Sequence, residues 1–253
     1  MHILYLVNAL DSGPGVLLDE AARAGAAATL IHTTEATDLA TGAKRDVPET
    51  AEGFDGLVVM GGVMGVYEEA RYPFIEKTRA LIRDFHGAEK PVMGVCLGSQ
   101  LVASAFGAPV YRMRDKLDTH EEWGFLPQTW LDAAAADPLL TDAPQGLSIM
   151  QWHGDTFDMP DGAVPLSTRA TCPSQAFRIG ARTYAFQFHL EMTREGLDGW
   201  SVFRAKAEKK PLPEIEALIE PQIVAHLGPQ DTFARTVMRR WMALAEPVSA
   251  RHV

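Results

Sequence analysis

The feature that most constrains this chain is a glycine-framed corner near its middle. Small and reactive residues occupy every second position there: Gly94, Cys96, Gly98 and Gln100. An apolar run at 91–93 precedes this corner, and a helix-like stretch at 100–106 follows it. A buried strand that turns sharply into a helix, with a nucleophile at the turn, is a nucleophile elbow. A Cβ at either glycine would collide with neighbouring backbone in such a corner, so the pattern predicts a strand–Cys96–helix unit.

A second segment supplies partners for this thiol. The corner places Cys96 at a helix N-terminus, where unpaired N–H groups and the helix dipole favour the thiolate. Downstream, an apolar run at 184–188 leads into His189 and Glu191. Residues two apart on a strand face the same side, so we expect both side chains at one site. The imidazole would be the base for the thiol, and the carboxylate would hold its tautomer.

These two segments resemble the Gly-x-Cys-x-Gly-x-Gln elbow and the His-x-Glu segment of class I, triad-type glutamine amidotransferases. Within that family, 152–157 and 188–191 are most similar to stand-alone, GMP-synthase-like members. The family usually has proline where this chain has Leu190 and Val63. The resemblance covers about the first 195 residues. We therefore expect an amidotransferase domain at 1–195 and a C-terminal helical extension at 196–253, packed on the same domain.

The resemblance implies a set of catalytic residues. They are a triad of Cys96, His189 and Glu191 and an oxyanion hole formed by the backbone N–H groups of Leu97 and Gly62. Gly62 belongs to a glycine loop at 60–65, where backbone approaches a ligand closely because Cβ is absent.

The resemblance also implies where substrate binds. The segment 151–155 aligns with the family's glutamine-contacting stretch, so Asp155 would receive the α-ammonium group and Trp152 and Gly154 would line the pocket. Gln100 would contact the same end from the elbow helix. We also expect the segment 172–177 to line the same pocket. Cys172 is interpreted as a structural loop residue, and His153 as packing or capping a turn.

The remaining pattern predicts the fold. Buried strands at 3–7, 28–32 and 57–60 alternate with helices at 16–24 and 72–86. Apolar runs without polar alternation favour a parallel sheet covered on both faces. We predict an α/β fold of the class I glutamine amidotransferase, flavodoxin-like type: a doubly wound, mixed but mainly parallel sheet with helices on both faces. Strands at 123–130, 147–152, 164–168 and 177–188 would extend the sheet with antiparallel members.

The C-terminal part predicts helices. Residues 206–213 read as a linker into two closing helices. Asp231 would cap the last helix, and Phe233, Val237, Trp241 and Leu244 would form its buried stripe. These helices could cover the core, form a homodimer face or dock a synthetase.

Charge and cysteine content exclude several classes of protein. The chain has 23 basic and 33 acidic residues, a formal charge of -10, which disfavours nucleic-acid and anionic-membrane partners. It has two cysteines and no cluster with metal-ligand spacing, so no disulfide framework, metal or cofactor is expected. The first eight residues read as a strand rather than a signal peptide, and no membrane-length apolar run occurs. A cytoplasmic location is the expectation.

Three functions remain open at this stage. The first is hydrolysis of the glutamine side-chain amide through a Cys96 γ-glutamyl thioester, with ammonia passed to an acceptor on a separate synthetase subunit. The second is hydrolysis or transfer of other γ-glutamyl amides or peptides by the same triad. The third is a non-catalytic regulatory subunit.

The loop at 12–15 fits no phosphate fingerprint and reads as a turn. The pairs 121–122 and 209–210 read as solvated charge.

Overall fold

A computed structural model describes residues 1–245 and places a nine-stranded sheet at the centre of the protein. The strands are β1 (His2–Val7), β2 (Ala27–His32), β3 (Thr37–Asp38), β4 (Gly56–Val59), β5 (Val92–Val95), β6 (Val110–Arg112), β7 (Glu122–Pro127), β8 (Thr129–Trp130), β9 (Ser148–His153), β10 (Asp155–Phe157), β11 (Val164–Thr168), β12 (Ala176–Ile179) and β13 (Thr183–Phe186). The helices are α1 (Gly15–Arg23), α2 (Phe74–Gly87), α3 (Leu97–Ala105), α4 (Met113–Lys116), α5 (Asp132–Ala135), α6 (Arg194–Glu208) and α7 (Leu212–Ala243).

The sheet is mixed, with a parallel centre. Its order is β3-β2-β1-β4-β5-β13-β12-β11-β8. The five strands from β2 to β13 in this order pair in parallel. The strands beyond β13 and the edge strand β3 pair antiparallel. The carboxyl ends of β1, β4, β5 and β13 therefore meet at one edge of the sheet, where ligands bind in open α/β sheets.

Helices cover both faces, which confirms the predicted fold class. Alternate residues of β1 point to opposite sides: Tyr5 joins a core with α1 and α7, whereas Leu6 joins a core with α2 and α3. All residues of β4 and β5 are buried, as a doubly covered parallel sheet requires.

The prediction that 123–130 and 147–152 extend the main sheet is wrong for most of their length. β7 and β9 pair with each other as a separate two-stranded antiparallel sheet. Only Thr129–Trp130 continues into the main sheet, beside β11. The small sheet buries Phe125 and Met150 against residues of α6 and α7. Its position is therefore set by packing on the apolar faces of those helices, and not by pairing with the main sheet.

The C-terminal prediction needs two corrections. Lys206 lies within α6, so one helix precedes the proline segment and one follows it. The second, α7, runs for 32 residues through Pro221 and Pro229, and Asp231 lies inside it, bonded to Arg235, instead of capping it. Both prolines are exposed, and the buried side of the helix packs continuously past them, which offsets the lost backbone bonds.

The buried stripe predicted for the last helix is confirmed, since Phe233, Val237, Trp241 and Leu244 are all buried. Within residues 1–245, no helix is both long and apolar enough to cross a bilayer. Residues 246–253 of the predicted extension lie outside the described part of the chain.

Candidate active site

The nucleophile elbow forms as predicted. Cys96 lies between the end of β5 and the start of α3, with φ of 52° and ψ of -109°. A Cβ at Gly94 would lie 2.4 Å from the carbonyl oxygen of Gly98, and one at Gly98 would lie 2.0 Å from that of Val59. No side chain fits at those distances, so both glycines are required by the packing of α3 against β4 and β5. The unusual dihedrals of Cys96 place its side chain at the carboxyl edge of the sheet, where the residue is 6% exposed.

His189 and Glu191 contact each other, but not by the predicted strand alternation. β13 ends at Phe186, so both residues follow the strand. The backbone N–H of His189 donates to the carbonyl of Met150 in the small sheet, which draws the chain out of the main sheet. Even so, Nδ1 of His189 and Oε1 of Glu191 are 2.7 Å apart. Both side chains are buried, at 2% and 0% exposure of the residue.

The imidazole lies beside the thiol. A Cβ at Gly61 would be 3.2 Å from Cε1 of His189 and 3.6 Å from Cβ of Cys96, so both side chains flank one glycine. Burial alone would lower the pKa of His189, but the charges of Glu191 and Cys96 and the hydrogen bond to Glu191 raise the pKa well above its ordinary range. Nε2 of His189 makes no hydrogen bond to any described residue. A proton held there is therefore available to the thiol or to a substrate atom.

The ring of His189 is held from one side by an aromatic residue of α6. The Trp200 indole meets the imidazole edge-on, with ring centroids 4.6 Å apart and planes at 88°. Trp200 is itself fixed, because its indole N–H donates to the carbonyl of Asp11 at 2.7 Å. It is 5% exposed and thus shields the imidazole from solvent.

Contacts from two further helices to the backbone fix the loop that carries His189 and Glu191. Gln230 of α7 accepts a hydrogen bond from the N–H of Met150 at 2.8 Å and donates to the carbonyl of His189 at 3.1 Å. At the start of α1, the N–H of Val16 donates to the carbonyl of Glu191. A Cβ at Gly15, whose φ is +44°, would lie 2.0 Å from that carbonyl oxygen. The loop at 12–15, interpreted as a turn, thus supports the loop that carries His189 and Glu191.

Two backbone N–H groups near Cys96, those predicted to form an oxyanion hole, are unpaired within the described residues. The N–H groups of Leu97, the first residue of α3, and of Gly62 donate no hydrogen bond to any described residue. A Cβ at Gly62 would lie 2.8 Å from the Leu97 side chain, so the glycine loop and the elbow are in direct contact. Both residues lie next to Cys96, and Gly62 lines the same cavity as the thiol.

A cavity of about 440 Å³ opens over Cys96 and His189. All four residues expected to bind substrate line it: Gln100, Trp152, Gly154 and Asp155. The prediction that 172–177 lines this cavity is wrong. Cys172 is completely buried, its thiol packs against the Thr156 hydroxyl at 3.2 Å, and no residue of 172–177 lines the cavity.

The predicted ammonium acceptor has two neighbours that the sequence analysis did not identify. The Tyr67 hydroxyl donates to Asp155 at 2.9 Å and accepts from Nε of Arg112 at 3.1 Å. Burial raises the pKa of Asp155, although the Tyr67 hydrogen bond and the Arg112 charge partly offset it. Gln100 donates to the backbone carbonyl of Asp155 at 3.1 Å, which anchors this residue to the elbow helix. The group offers a carboxylate and a guanidinium close together.

The prediction that Glu122 is a solvated charge is wrong. Glu122 is a buried carboxylate with four side-chain partners, a network that we call the hub. It is 3% exposed and bonded to His153, Arg169, Thr171 and Gln175. Burial acts to raise the pKa of Glu122, yet these bonds, that with His153 foremost, lower it to about 2.

The hub brings a second cysteine near a histidine and a carboxylate. Ligand atoms of Glu122, His153 and Cys172 lie within 4.8 Å of one another. Both carboxylate oxygens and both imidazole nitrogens already have protein partners, including the Arg169 guanidinium, whose positive charge disfavours a cation. Burial raises the pKa of Cys172 to about 11, which keeps it a neutral thiol. This group is a structural network behind the cavity, and Cys96 is the thiol that faces it.

Comparison with known proteins identifies the family that this chain resembles. A family model described as glutamine amidotransferase class-I matches residues 6–205. The glutamine amidotransferase-like protein YfeJ of Salmonella typhimurium is 35% identical over 156 residues, which are 60% of this chain and 63% of that protein. A protein of Thermoplasma acidophilum, named as one of the subunits of a glutamine-hydrolysing GMP synthase, is 29% identical over 151 residues, 58% of this chain and 69% of that protein. The match thus spans less than two thirds of the Salmonella protein.

Solved structures share the fold over nearly the full chain. A glutamine amidotransferase from Thermotoga maritima has a TM-score of 0.80 and 24% identity, covering 96% of this chain and 98% of its own. A glutamine amido transferase from Methylobacillus flagellatus has a TM-score of 0.77 and 24% identity, covering 100% of this chain and 98% of its own. At this identity the likeness establishes the architecture alone.

Proposed function

The chain belongs to the class-I glutamine amidotransferase family, and from this premise we propose that it hydrolyses the side-chain amide of glutamine through a γ-glutamyl thioester on Cys96. The products are glutamate and ammonia. The observation that carries the proposal is the convergence of the elbow cysteine, a buried His189–Glu191 pair and two free backbone donors at one cavity.

The first half of the reaction acylates Cys96. His189 takes the thiol proton, and the sulfur attacks the amide carbon of the substrate. The N–H groups of Leu97 and Gly62 stabilise the oxyanion that forms, and such a donor contributes on the order of 3 kcal/mol in other acyl-transfer enzymes. His189 then gives its proton to the departing nitrogen, and ammonia leaves. The raised pKa of His189 keeps that proton in place until the nitrogen becomes basic.

The second half releases glutamate. His189, now neutral, takes a proton from water, which attacks the thioester carbon. The carbon–sulfur bond breaks and the proton returns to the thiolate. Glu191 stays charged throughout and holds Nδ1, so that Nε2 faces the reacting atoms. Trp200 limits the access of bulk water to the imidazole.

The amino-acid end of the substrate would bind at the Asp155–Tyr67–Arg112 group. Asp155 receives the α-ammonium, which compensates the burial of its carboxylate. Arg112 is placed to receive the α-carboxylate, and Gln100 holds this end against the elbow helix. Trp152 forms the wall between this end and the imidazole, since its ring contacts Trp200.

The ammonia would be passed to an acceptor on a separate synthetase subunit in the cytoplasm. This part of the proposal is supported by the Thermoplasma relative, which is named as one subunit of a GMP synthase. The amidotransferase domain would span 1–195, with the C-terminal helices packed on it as an integral part of the site, since Trp200 and Gln230 come from them.

The decisive experiment tests whether Cys96 reacts with a glutamine-like electrophile. The protein is incubated with a diazoketone analogue of glutamine, and the modified residue is located by peptide mass spectrometry, with ammonia release from glutamine measured in parallel. We expect one adduct on Cys96, competition by glutamine, and loss of both signals in Cys96→Ser but not in Cys172→Ser. A protein that is folded yet unlabelled and inactive would overturn the proposal and favour a regulatory role.

A further inference from the structure

We propose that the cavity also accepts γ-glutamyl amides whose leaving amine carries a second, positively charged amino group, that is, mono-γ-glutamyl diamines. This inference rests on the proposed function, because it uses the same acyl chemistry. It concerns the part of the cavity beyond His189, which the ammonia of glutamine does not fill.

The two ends of the cavity differ in chemistry. Asp155, Tyr67 and Arg112 form the end that suits an α-amino acid. His189 adjoins the other end, because Ser12 and Trp200 lie near its ring. Since His189 protonates the departing nitrogen, any group attached to this nitrogen extends to the opposite end.

Residues of the β1–α1 loop and of α6 form that opposite end. A Cβ at Gly61 would be 3.6 Å from Cβ of Ser12 and 3.2 Å from the His189 ring, so Ser12 adjoins the imidazole. Trp200 lies against the same imidazole and is bonded to the backbone of Asp11. Phe203, one helical turn after Trp200, also lines the cavity. The leaving group would therefore meet a hydroxyl, a carboxylate and two aromatic rings.

The polar groups at this end have no partners in the described part of the protein. Ser12 is 93% buried, since its exposure is 7%, yet its hydroxyl makes no hydrogen bond to any described residue. The Asp11 carboxylate likewise has no ion pair within residues 1–245. By contrast, Glu121 at the rim is already paired with Arg204 at 2.7 Å. An unpaired hydroxyl on a largely buried residue, beside the unpaired carboxylate of the exposed Asp11, is an arrangement that a ligand with hydrogen-bond donors would satisfy.

An ammonium group suits these partners better than a neutral or an anionic group. It donates to a carboxylate and a hydroxyl, and aromatic faces such as that of Phe203, which is 45% exposed, attract cations. A carboxylate on the leaving group would instead face Asp11. His189 does not oppose the cation during this step, because it loses its proton to the leaving nitrogen.

The reaction balances as for glutamine. The bond between the Cys96 sulfur and the γ-carbon forms, the carbon–nitrogen bond breaks, and the nitrogen takes its proton from His189. Water then cleaves the thioester. The net reaction converts the γ-glutamyl diamine and water into glutamate and the free diamine, without an oxidant or a further co-reactant.

The test uses three amides of nearly equal length that differ in the terminal charge of the leaving amine. They are the γ-glutamyl amides of 1,4-diaminobutane, of n-pentylamine and of 4-aminobutyrate, which end in a cation, a methyl group and an anion. We expect kcat/KM to fall in that order, with the cationic amide about tenfold above the neutral one. In Asp11→Asn the ratio of cationic to neutral should fall severalfold. In Asp19→Asn, which removes an exposed carboxylate of α1 that does not line the cavity, the ratio should not change.

Each outcome decides the inference. Equal kcat/KM for the three amides, a preference for the anion, or an unchanged ratio in Asp11→Asn would overturn it. If glutamine is hydrolysed and Cys96 is labelled while the amides show no charge preference, only this inference fails. If Cys96 is neither labelled nor active with glutamine or any amide, the proposed function fails and this inference fails with it.

Discussion

Gln230 provides the sharpest test of how the C-terminal helix contributes to the site. Its side chain is completely buried and bridges the N–H of Met150 and the carbonyl of His189, at 2.8 and 3.1 Å. The variant Gln230→Leu keeps the volume but leaves both backbone groups unpaired. A buried unpaired group costs about 1–3 kcal/mol, so we expect a loss of about 2–6 kcal/mol in the free energy of unfolding. The His189 loop should also move, and displacement by about 1 Å costs on the order of a hundredfold in rate.

The same helix offers a matched control. Gln222 accepts a hydrogen bond from the N–H of Phe125 at 2.8 Å. Phe125 and Met150 are directly opposed in the small sheet, so the two glutamines satisfy its two outer edges. Gln222, however, does not contact the triad loop and is partly exposed. We therefore expect Gln222→Leu to lose at most about 2 kcal/mol of stability and to keep its kcat.

The assay compares urea unfolding with glutamine hydrolysis at a temperature where both variants remain folded. For Gln230→Leu, kcat should fall about 10- to 100-fold, with KM nearly constant because the Asp155 end of the cavity is unchanged. Equal kcat in the two variants would refute the reasoning, since it would mean that the backbone bond to His189 does not position the imidazole. The reasoning would also be refuted if kcat fell in both variants in proportion to their loss of stability.

Three further outcomes follow from the structure. Gly94→Ala places a methyl group 2.4 Å from the Gly98 carbonyl oxygen, so the urea midpoint of this variant should drop sharply or the protein should fail to fold. The control Gly199→Ala has open space around the new methyl group and should be neutral or stabilising by up to about 1 kcal/mol. The pKa of Glu122 is lowered to about 2 from 4.5, so its contribution of roughly 3 kcal/mol is complete above pH 4.5 and is lost as pH falls toward 2. Acid unfolding curves should accordingly be flatter for Glu122→Gln than for the unaltered protein, and parallel curves would contradict this. Trp200→Phe keeps a ring against His189 and should retain more kcat than Trp200→Ala, whereas equal losses would show that the bond to Asp11, and not the ring, is what matters.

Much of this protein could be predicted from local pattern. The glycines around Cys96 are dictated by short-range sterics, which leave one backbone geometry for a strand that turns into a helix, and the structure has that geometry. The stripe from Phe233 to Leu244 follows from helical periodicity in the same way. The pairing of His189 with Glu191 was correctly expected, although the strand that should have aligned them ends earlier, at Phe186.

Other features depend on which distant segments pack together, and local pattern does not encode that. Glu122 is predicted as surface charge from its local sequence, but β9 brings His153 to it and the segment after β11 brings Arg169, and these partners stabilise the buried carboxylate. Trp200 and Gln230 reach His189 only because α6 and α7 fold back over the small sheet. Sterics and periodicity act between neighbours in the chain, so the sequence determines the elbow; a buried charge or a bridging amide is satisfied only by partners that the tertiary fold brings near.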